Sequence, residues 1–263
     1  MKNKIALVLI FSIANGFAFS QKKTVTLDYY FNHEFTKNEK GIMQRFHYMW
    51  EDTAQSGYSK WGDIFKQNGF ELKTLENAPT RNNLKGTSVY LIVDPDTEKE
   101  TVSPNFIEAN HIEAISNYVK KGGVLIVMAN DSANVEFDHL NKLTDFFGIH
   151  LNGDSKSKVL NNDYQMAAFI IPRNDSIFTT AHKVYLKEVT SLSLTKNASA
   201  ILKHQTENYI VGAKAKYGKG TVIVIGDPWF YNEYLNGRLG DNTGWDNVKA
   251  AQNFTSWIST IAN

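Results

Sequence analysis

The chain alternates short apolar runs with longer stretches in which apolar residues recur at helical spacing. Residues 88–93, 124–129 and 221–225 are almost continuously apolar and rich in β-branched side chains. Such runs are typical of strands that are buried on both faces of a sheet. Residues 24–30 and 70–75 are also rich in strand-forming side chains and predict two further strands.

Four stretches predict helices from their apolar period: residues 56–68, 110–121, 137–147 and 247–261. In the first, Trp61, Ile64 and Phe65 fall on one face, and Ser59 is expected to cap the N-terminus. The alternation of strands and helices predicts an α/β fold with a mostly parallel sheet flanked by helices.

The region between the third helix and the last strand has a different pattern. Residues 151–199 contain short β-like pieces among Asn, Asp, Ser and Lys, and we interpret them as a small β-rich insertion on one edge of the sheet. Residues 200–204 and 209–216 predict a pair of strands joined by a turn. We expect residues 21–263 to form one domain.

The first residues have the pattern of an export signal. Lys2 and Lys4 precede an apolar run over residues 5–17, and small side chains follow at 18–20. This predicts a signal peptide over residues 1–20 and a periplasmic or secreted protein. The apolar run is short for a membrane span, so no stable membrane anchor is expected.

Composition excludes several classes of function. Cysteine is absent, which rules out a thiolate nucleophile and cysteine-ligated metal sites. The net charge of +1 gives no basic footprint for nucleic acid. No His-x-x-x-His or His-Glu-x-x-His spacing occurs, so we expect neither a metal ion nor a cofactor. The aromatic content of 13% suits a protein that handles carbohydrate, although most aromatic rings fill cores.

Polar clusters follow four of the predicted strands. They lie at residues 32–34, 94–97, 130–131 and 227–233. A parallel sheet brings the carboxyl ends of its strands to one edge, where ligands bind in open α/β sheets. We therefore expect Asn32, Asp96, Asn130 and Asp227 to lie at one edge of one sheet.

The segment 226–238 carries the densest group of polar and aromatic side chains. In it, Trp229 is a candidate to stack on a sugar, and Asp227 and Asn232 are candidates to bind hydroxyl groups. Glu233 is a candidate acid or base, and Arg238 offers a fork for a carboxylate. The alternative is that Pro228 and the aromatic residues only close the core.

Two histidines are candidate proton-transfer groups, because imidazole titrates near neutral pH. His47 is surrounded by aromatic residues and precedes Glu51, and His33 is adjacent to Glu34. Either is our candidate base, with Asp96 or Glu233 as the acid. A structural role for His47 remains the alternative, and Asp94 is assigned to capping its loop.

The remaining candidates are assigned to substrate binding: Asn32, Trp50, Asn130, Asp131 and His139. For Asp131 and His139 a capping or surface role is equally open, because both lie near the start of the third predicted helix. The sharpest expectation is that His47 and Glu233 share one cleft and that turnover requires both.

Several motifs together resemble a known family: residues 28–34, 46–52, 93–97, 129–132 and 226–238. The resemblance is to glutamine-amidotransferase-like proteins of polysaccharide-degrading bacteria, which are often labelled unsaturated rhamnogalacturonyl hydrolases and are related to ulvan oligosaccharide dehydratases. It implies a class I amidotransferase-like, flavodoxin-like fold. Amidotransferase chemistry is not implied, because the required cysteine is missing.

The resemblance also implies a substrate: an oligosaccharide with an unsaturated uronic acid end. The expected reaction is elimination of water, which makes the protein a carbon–oxygen lyase. Two alternatives are a non-catalytic carbohydrate-binding accessory protein and an unsaturated glycuronyl hydrolase that uses two carboxylates.

Overall fold

A computed structural model describes residues 22–236 and 244–263. The predicted signal peptide over residues 1–20 and the candidate Arg238 lie outside the described residues. Within them, no helix is both long and apolar enough to cross a membrane.

The described chain contains thirteen strands, five α-helices and one 3-10 turn at Tyr164–Ala167. The strands are β1 (Lys23–Asp28), β2 (Phe35–Lys37), β3 (Met43–Arg45), β4 (Phe70–Leu75), β5 (Val89–Val93), β6 (Val124–Met128), β7 (Ile149–Leu151), β8 (Ala168–Ile170), β9 (Lys183–Tyr185), β10 (Leu192–Leu194), β11 (Ser199–Lys203), β12 (Ile210–Tyr217) and β13 (Gly220–Ile225). The helices are α1 (Ser59–Gln67), α2 (Ala109–Lys120), α3 (Phe137–Phe146), α4 (Asn232–Asn236) and α5 (Asn247–Ile261).

One mostly parallel sheet organises the fold, as the strand–helix alternation predicts. Its order is β4-β1-β5-β6-β13-β12-β10-β7, and β11 pairs with β12. The strands β4, β1, β5, β6 and β13 pair in parallel, whereas β12, β10, β7 and β11 join by antiparallel pairing. In chain order, the five parallel strands are therefore arranged 2-1-3-4-5.

The apolar runs form strands because helices cover both faces of this sheet. Along β5, Val89, Leu91 and Val93 pack into one apolar cluster and Tyr90 and Ile92 into another, as the two-residue period of a strand requires. Helices α1 and α5 contribute to the first cluster, and α2 and α3 to the second. The sheet is thus the middle of three layers.

The antiparallel part of the main sheet includes strands from residues 151–199, the segment that was predicted to be a β-rich insertion. The predicted pair of strands over residues 200–216 is confirmed as β11 and β12. Within residues 151–199, β10 joins the main sheet and β8 pairs with β9 outside it. The β2–β3 hairpin and α4 were not predicted, since each is too short to show a period.

The prediction that α1 begins at residue 56 is wrong by three residues, and the prediction that Ser59 is its N-cap is also wrong, because Ser59 is the first helical residue. The helix begins at Ser59, and its N-cap Tyr58 makes no capping bond with its own side chain. Instead, Asn232 on α4 accepts a hydrogen bond from the Lys60 backbone N–H at 3.0 Å. A residue remote in sequence therefore caps this helix, which local patterns do not reveal.

Asn232 uses the rest of its amide in the same place, and it is 4% exposed. Its Nδ2 donates to the Asp52 carbonyl at 3.0 Å, the Ala54 carbonyl at 2.8 Å and Ser59 Oγ at 2.9 Å. Every polar atom of this side chain is thus engaged in joining α4 to the start of α1.

We expect Asn232→Ala to lower the free energy of unfolding by about 2–4 kcal/mol, because it removes four partly buried hydrogen bonds, one of which caps α1. Urea denaturation measures the change. Asn110→Ala is the matched control: Asn110 is exposed on α2, and its loss should change stability by less than about 0.5 kcal/mol. Equal stability of the two variants would contradict this structural role.

Candidate functional site

The polar segments after β1, β5, β6 and β13 lie at one edge of the sheet, because these four neighbouring strands are parallel. Two hydrogen bonds join the first three segments directly. Asn32 Nδ2 donates to the Asp94 carbonyl at 3.0 Å, and the Asn130 backbone N–H donates to Asp94 Oδ1 at 2.8 Å. The predicted convergence at the carboxyl edge is confirmed.

A small cavity of about 110 Å³ opens at this edge. Its lining combines carboxylates, an imidazole, a phenol and two amides: Glu34, His47, Tyr48, Asp94, Glu100, Asn130 and Asn134. Three of the seven side chains are acidic, so the cavity is suited to proton transfer and unsuited to binding a multiply charged anion.

Asp94 is the most deeply buried acid of the cavity, at 4% exposure. Its Oδ2 accepts a hydrogen bond from the Tyr48 hydroxyl at 2.5 Å. Burial raises the pKa of Asp94 to about 7, although the hydrogen bonds from Tyr48 and from the Asn130 N–H oppose the shift. At neutral pH this carboxyl therefore exchanges a proton readily.

His47 forms an ion pair with Glu34 in the same cavity, with 2.6 Å between Nδ1 and Oε1. Burial lowers the pKa of His47, but the hydrogen bond and charge of Glu34 and the charges of Asp94 and Glu100 outweigh burial and raise it above its ordinary value. Glu34 also fixes the ring orientation, as a carboxylate does for a catalytic imidazole. The Phe46 ring stacks on the imidazole at 3.9 Å between centroids.

The backbone is left-handed at three of the lining residues. The φ angles are 63° at His47, 51° at Tyr48 and 37° at Asp94. Such conformations cost about 1–3 kcal/mol each at non-glycine residues and cluster at functional sites. They are maintained here by backbone hydrogen bonds, from Tyr48 to Ser56 at 3.0 Å and from Asp94 to Met128 at 3.0 Å.

Asp96 and His33 lie beside this cavity, and neither is among the described residues that line it. Asp96 accepts hydrogen bonds from the His33 backbone N–H at 2.9 Å and from the Thr101 hydroxyl. Burial raises the pKa of Asp96 to about 6. His33 Nδ1 lies 2.9 Å from the Tyr29 carbonyl oxygen, which ties its ring to the backbone of its own turn.

Trp229 packs in the core and has no exposed surface, which corrects its assignment as a sugar platform. Its ring stacks on Phe230 at 4.3 Å and meets Phe178 edge-on at 5.7 Å. Trp50 is 9% exposed and donates from Nε1 to the Lys73 carbonyl at 3.0 Å. A sugar needs an open ring face, and the packing leaves neither ring available for stacking.

The other candidates of the segment after β13 are also placed away from the lining. Asn232 is engaged in structural bonds, so its assignment to hydroxyl binding is corrected too. Glu233 follows it at the start of α4, and its backbone N–H donates to the Gln55 carbonyl at 2.8 Å. Among the described residues, His47 lines the cavity and Glu233 does not. The expectation that these two residues share this cleft is therefore wrong.

Asp227 lies deeper than the cavity, at 1% exposure. Burial raises its pKa well above the ordinary range, and the charge of Asp94 adds to the shift while Lys187 opposes it. Burial and the nearby charge of Asp94 both raise the pKa of Asp227, so this carboxyl holds its proton more strongly than an exposed one.

Asp131 and His139 complete the predicted set. Asp131 Oδ1 accepts from the Ala133 N–H and from Asn134 Nδ2, both at 3.1 Å, and so stabilises its own turn. His139 Nδ1 lies 3.0 Å from Glu136 Oε1, at the start of α3. Both contacts agree with the capping alternative that the sequence left open.

Three residues that define the cavity had no catalytic assignment from sequence: Glu34, Tyr48 and Asp94. Glu34 and Tyr48 are direct neighbours of the candidates His33 and His47, and Asp94 is the first residue after the buried strand β5. Adjacency to a candidate and position at a strand end were the available signals. Among the described residues, no three His, Asp or Glu side chains are grouped so that they could hold a metal ion.

Solved structures share this fold at low sequence identity. The mmIFT52 N-terminal domain aligns over 90% of this chain and 97% of its own, with a TM-score of 0.65 and 19% identity. Cytoplasmic protein STM1381 from Salmonella typhimurium LT2 aligns over 92% of this chain and 100% of its own, with a TM-score of 0.59 and 12% identity. At such identities the likeness concerns the fold alone. No curated protein sequence matches the chain.

These comparisons overturn the resemblance drawn from the motifs. The matching family model and the similar structures indicate neither a glutamine-amidotransferase-like family nor a rhamnogalacturonyl hydrolase family. Short polar motifs at strand ends recur in many α/β proteins, because the edge of a parallel sheet selects for them. The family model that does match covers residues 51–243, and the chain therefore belongs to the DUF4350 family, a domain of unknown function.

Proposed function

We propose that the protein is an enzyme that moves protons in the cavity at the carboxyl edge, and that its reaction eliminates water from the unsaturated uronyl end of an oligosaccharide. One observation carries the proposal: the His47–Glu34 pair and the Asp94–Tyr48 pair face one cavity. Elimination of water needs a base at the carbon that loses its proton and an acid at the departing hydroxyl.

The two pairs fit these two roles. His47 is the base, since Glu34 holds its Nδ1 and leaves Nε2 to accept a proton. Asp94 is the acid, since burial keeps part of its population protonated at neutral pH. Asn130 and Asn134 are suited to bind the hydroxyl groups of a sugar.

The size and position of the cavity support a substrate that enters by its end. Its volume of about 110 Å³ is well below the roughly 300–1,000 Å³ of pockets that enclose a whole drug-sized ligand. The strand order 2-1-3-4-5 also supports assigning the parallel part to the flavodoxin-like class, in which ligands bind where the order reverses, between the first and third strands. Glu34 and Asp94 follow these two strands, β1 and β5.

Two further parts of the proposal concern residues outside the described chain. Arg238 is our proposed clamp for the uronate carboxylate, because its guanidinium can donate two parallel hydrogen bonds to a carboxylate.

The segment 1–20 is our proposed export signal, and the mature protein then begins near Gln21 in the periplasm. N-terminal sequencing of periplasmic protein tests the second point, and a retained Met1 would contradict it.

Replacing His47 tests the catalytic assignment. We expect His47→Asn to lower turnover about 10²- to 10⁴-fold and to preserve the fold, because asparagine tolerates the left-handed backbone at this position. The assay is mass analysis of unsaturated uronyl oligosaccharides, in which the product has lost one water. Gain of one water on cleavage would indicate hydrolysis instead, and an unchanged mass with retained binding would indicate an accessory protein.

His150→Asn is the matched control for this experiment. His150 makes the same kind of contact, with 2.9 Å between Nδ1 and Asp145 Oδ1, but on an exposed surface. We expect its loss to leave turnover unchanged. Equal activity of the two variants would remove His47 from the mechanism.

The pH dependence follows from the two pKa shifts. We expect kcat/KM to rise with pH as His47 loses its proton, above its ordinary pKa, and to fall above about pH 7 as Asp94 loses its own. Glu34→Gln removes the charge that raises the pKa of His47, so the rise of kcat/KM on the acidic side of the pH profile should move to lower pH. Asp94→Asn should abolish the alkaline limb. A profile whose acidic limb is the same in Glu34→Gln and the wild type would contradict these roles.

A further inference from the structure

A second and larger cavity lies at the opposite edge of the sheet, where β5 and β6 begin. It measures about 580 Å³, within the roughly 300–1,000 Å³ of small-ligand sites. Ser88 and Gly123, which precede these two strands, are among its lining residues. The strands are five residues long, so this cleft and the catalytic cavity are separated by about 16 Å at roughly 3.3 Å per residue.

The cleft is basic, in contrast to the acidic cavity. Arg81, Lys85 and Lys121 line it, and no acidic side chain is among its described lining residues. Within residues 22–236 and 244–263, none of the three cations has an ion pair or a side-chain hydrogen bond. By contrast, Arg45 on the other edge is held by Glu51 and Glu76.

Part of this charge has a structural explanation. Lys121 is the C-cap of α2, where a cation stabilises the negative end of the helix dipole. Arg81 and Lys85 belong to a turn that precedes β5, and no helix ends there. Helix stabilisation therefore accounts for one of the three cations and leaves the other two unexplained.

The other side chains that line the cleft, among them that of Asn263, are neutral. Asn82 and Asn117 are exposed, and their amides make no hydrogen bond within the described chain. The Tyr118 hydroxyl donates to the carbonyls of Ser88 at 2.9 Å and Val124 at 3.1 Å, which fixes the ring as a wall of the cleft. A guanidinium and two amides are together suited to carboxylate or sulfate groups and to hydroxyl groups.

We infer that this cleft binds an anionic oligosaccharide, one that carries carboxylate or sulfate groups along its chain. The inference does not depend on the reaction proposed for the acidic cavity, since the two sites share no residue. A ligand held here leaves the catalytic cavity open.

Calorimetric titration at low salt tests the inference, with a hexamer of galacturonic acid, a sulfated hexasaccharide and the neutral maltohexaose as probes. The test variant combines Arg81→Gln, Lys85→Gln and Lys121→Gln. The control variant combines Lys142→Gln, Lys158→Gln and Lys203→Gln, three exposed lysines outside the cleft. Both variants lower the net charge by the same amount, and circular dichroism checks that both are folded.

We expect the wild type to bind one or both of the anionic hexamers and not the neutral one. The test variant should lose at least about tenfold in affinity, because three charge contacts are removed, and the control variant should lose less than about threefold. An equal loss in both variants would show attraction to net charge and overturn the inference. Failure of both anionic hexamers to bind, or inorganic sulfate binding as tightly as the sulfated hexamer, would overturn it as well.

Discussion

The arrangement of the acidic cavity at the carboxyl edge depends on the hydrogen bonds of one buried carboxylate, that of Asp94. Its two oxygens accept bonds from Tyr48 and from the backbone of Asn130, and its carbonyl accepts a bond from Asn32. These contacts join the ends of β1, β5 and β6 to the segment that carries His47. The same burial that makes these bonds strong raises the pKa of the carboxyl to about 7. The structural role of Asp94 and the chemical role that we propose for it therefore rest on the same burial.

The molecule separates its charges between the two edges of the parallel sheet. The carboxyl edge carries Glu34, Asp94 and Glu100 in a small cavity, and the amino edge carries Arg81, Lys85 and Lys121 around a large one. The net charge of +1 conceals this division, because it sums opposite contributions. A nearly neutral composition is thus compatible with two sites of opposite electrostatic preference.

The segment after β13 is mainly a structural joint. Trp229 fills the core, and Asn232 bonds to three carbonyl or hydroxyl groups of residues 52–59 and caps α1. This segment bonds to the loop that follows Tyr48, so it holds that side of the acidic cavity in place. Its density of polar and aromatic residues indicates a junction between distant parts of the chain as readily as a binding site.

The sequence by itself determined the parallel strands, the four longer helices and the edge at which polar groups gather, but not the short elements β2, β3 and α4. Apolar runs such as residues 124–128 and the periodic stripe of α5 fix strands and helices, because burial acts on each segment through its own period. The tertiary structure alone decided the pairing of Glu34 with His47 and of Tyr48 with Asp94, and the use of Asn232 as a helix cap. These contacts join residues 13, 46 and 172 positions apart, and no local period encodes such distances. Burial depth is likewise a property of the assembled layers, and it gives Asp94 a raised pKa that an exposed loop cap would not have.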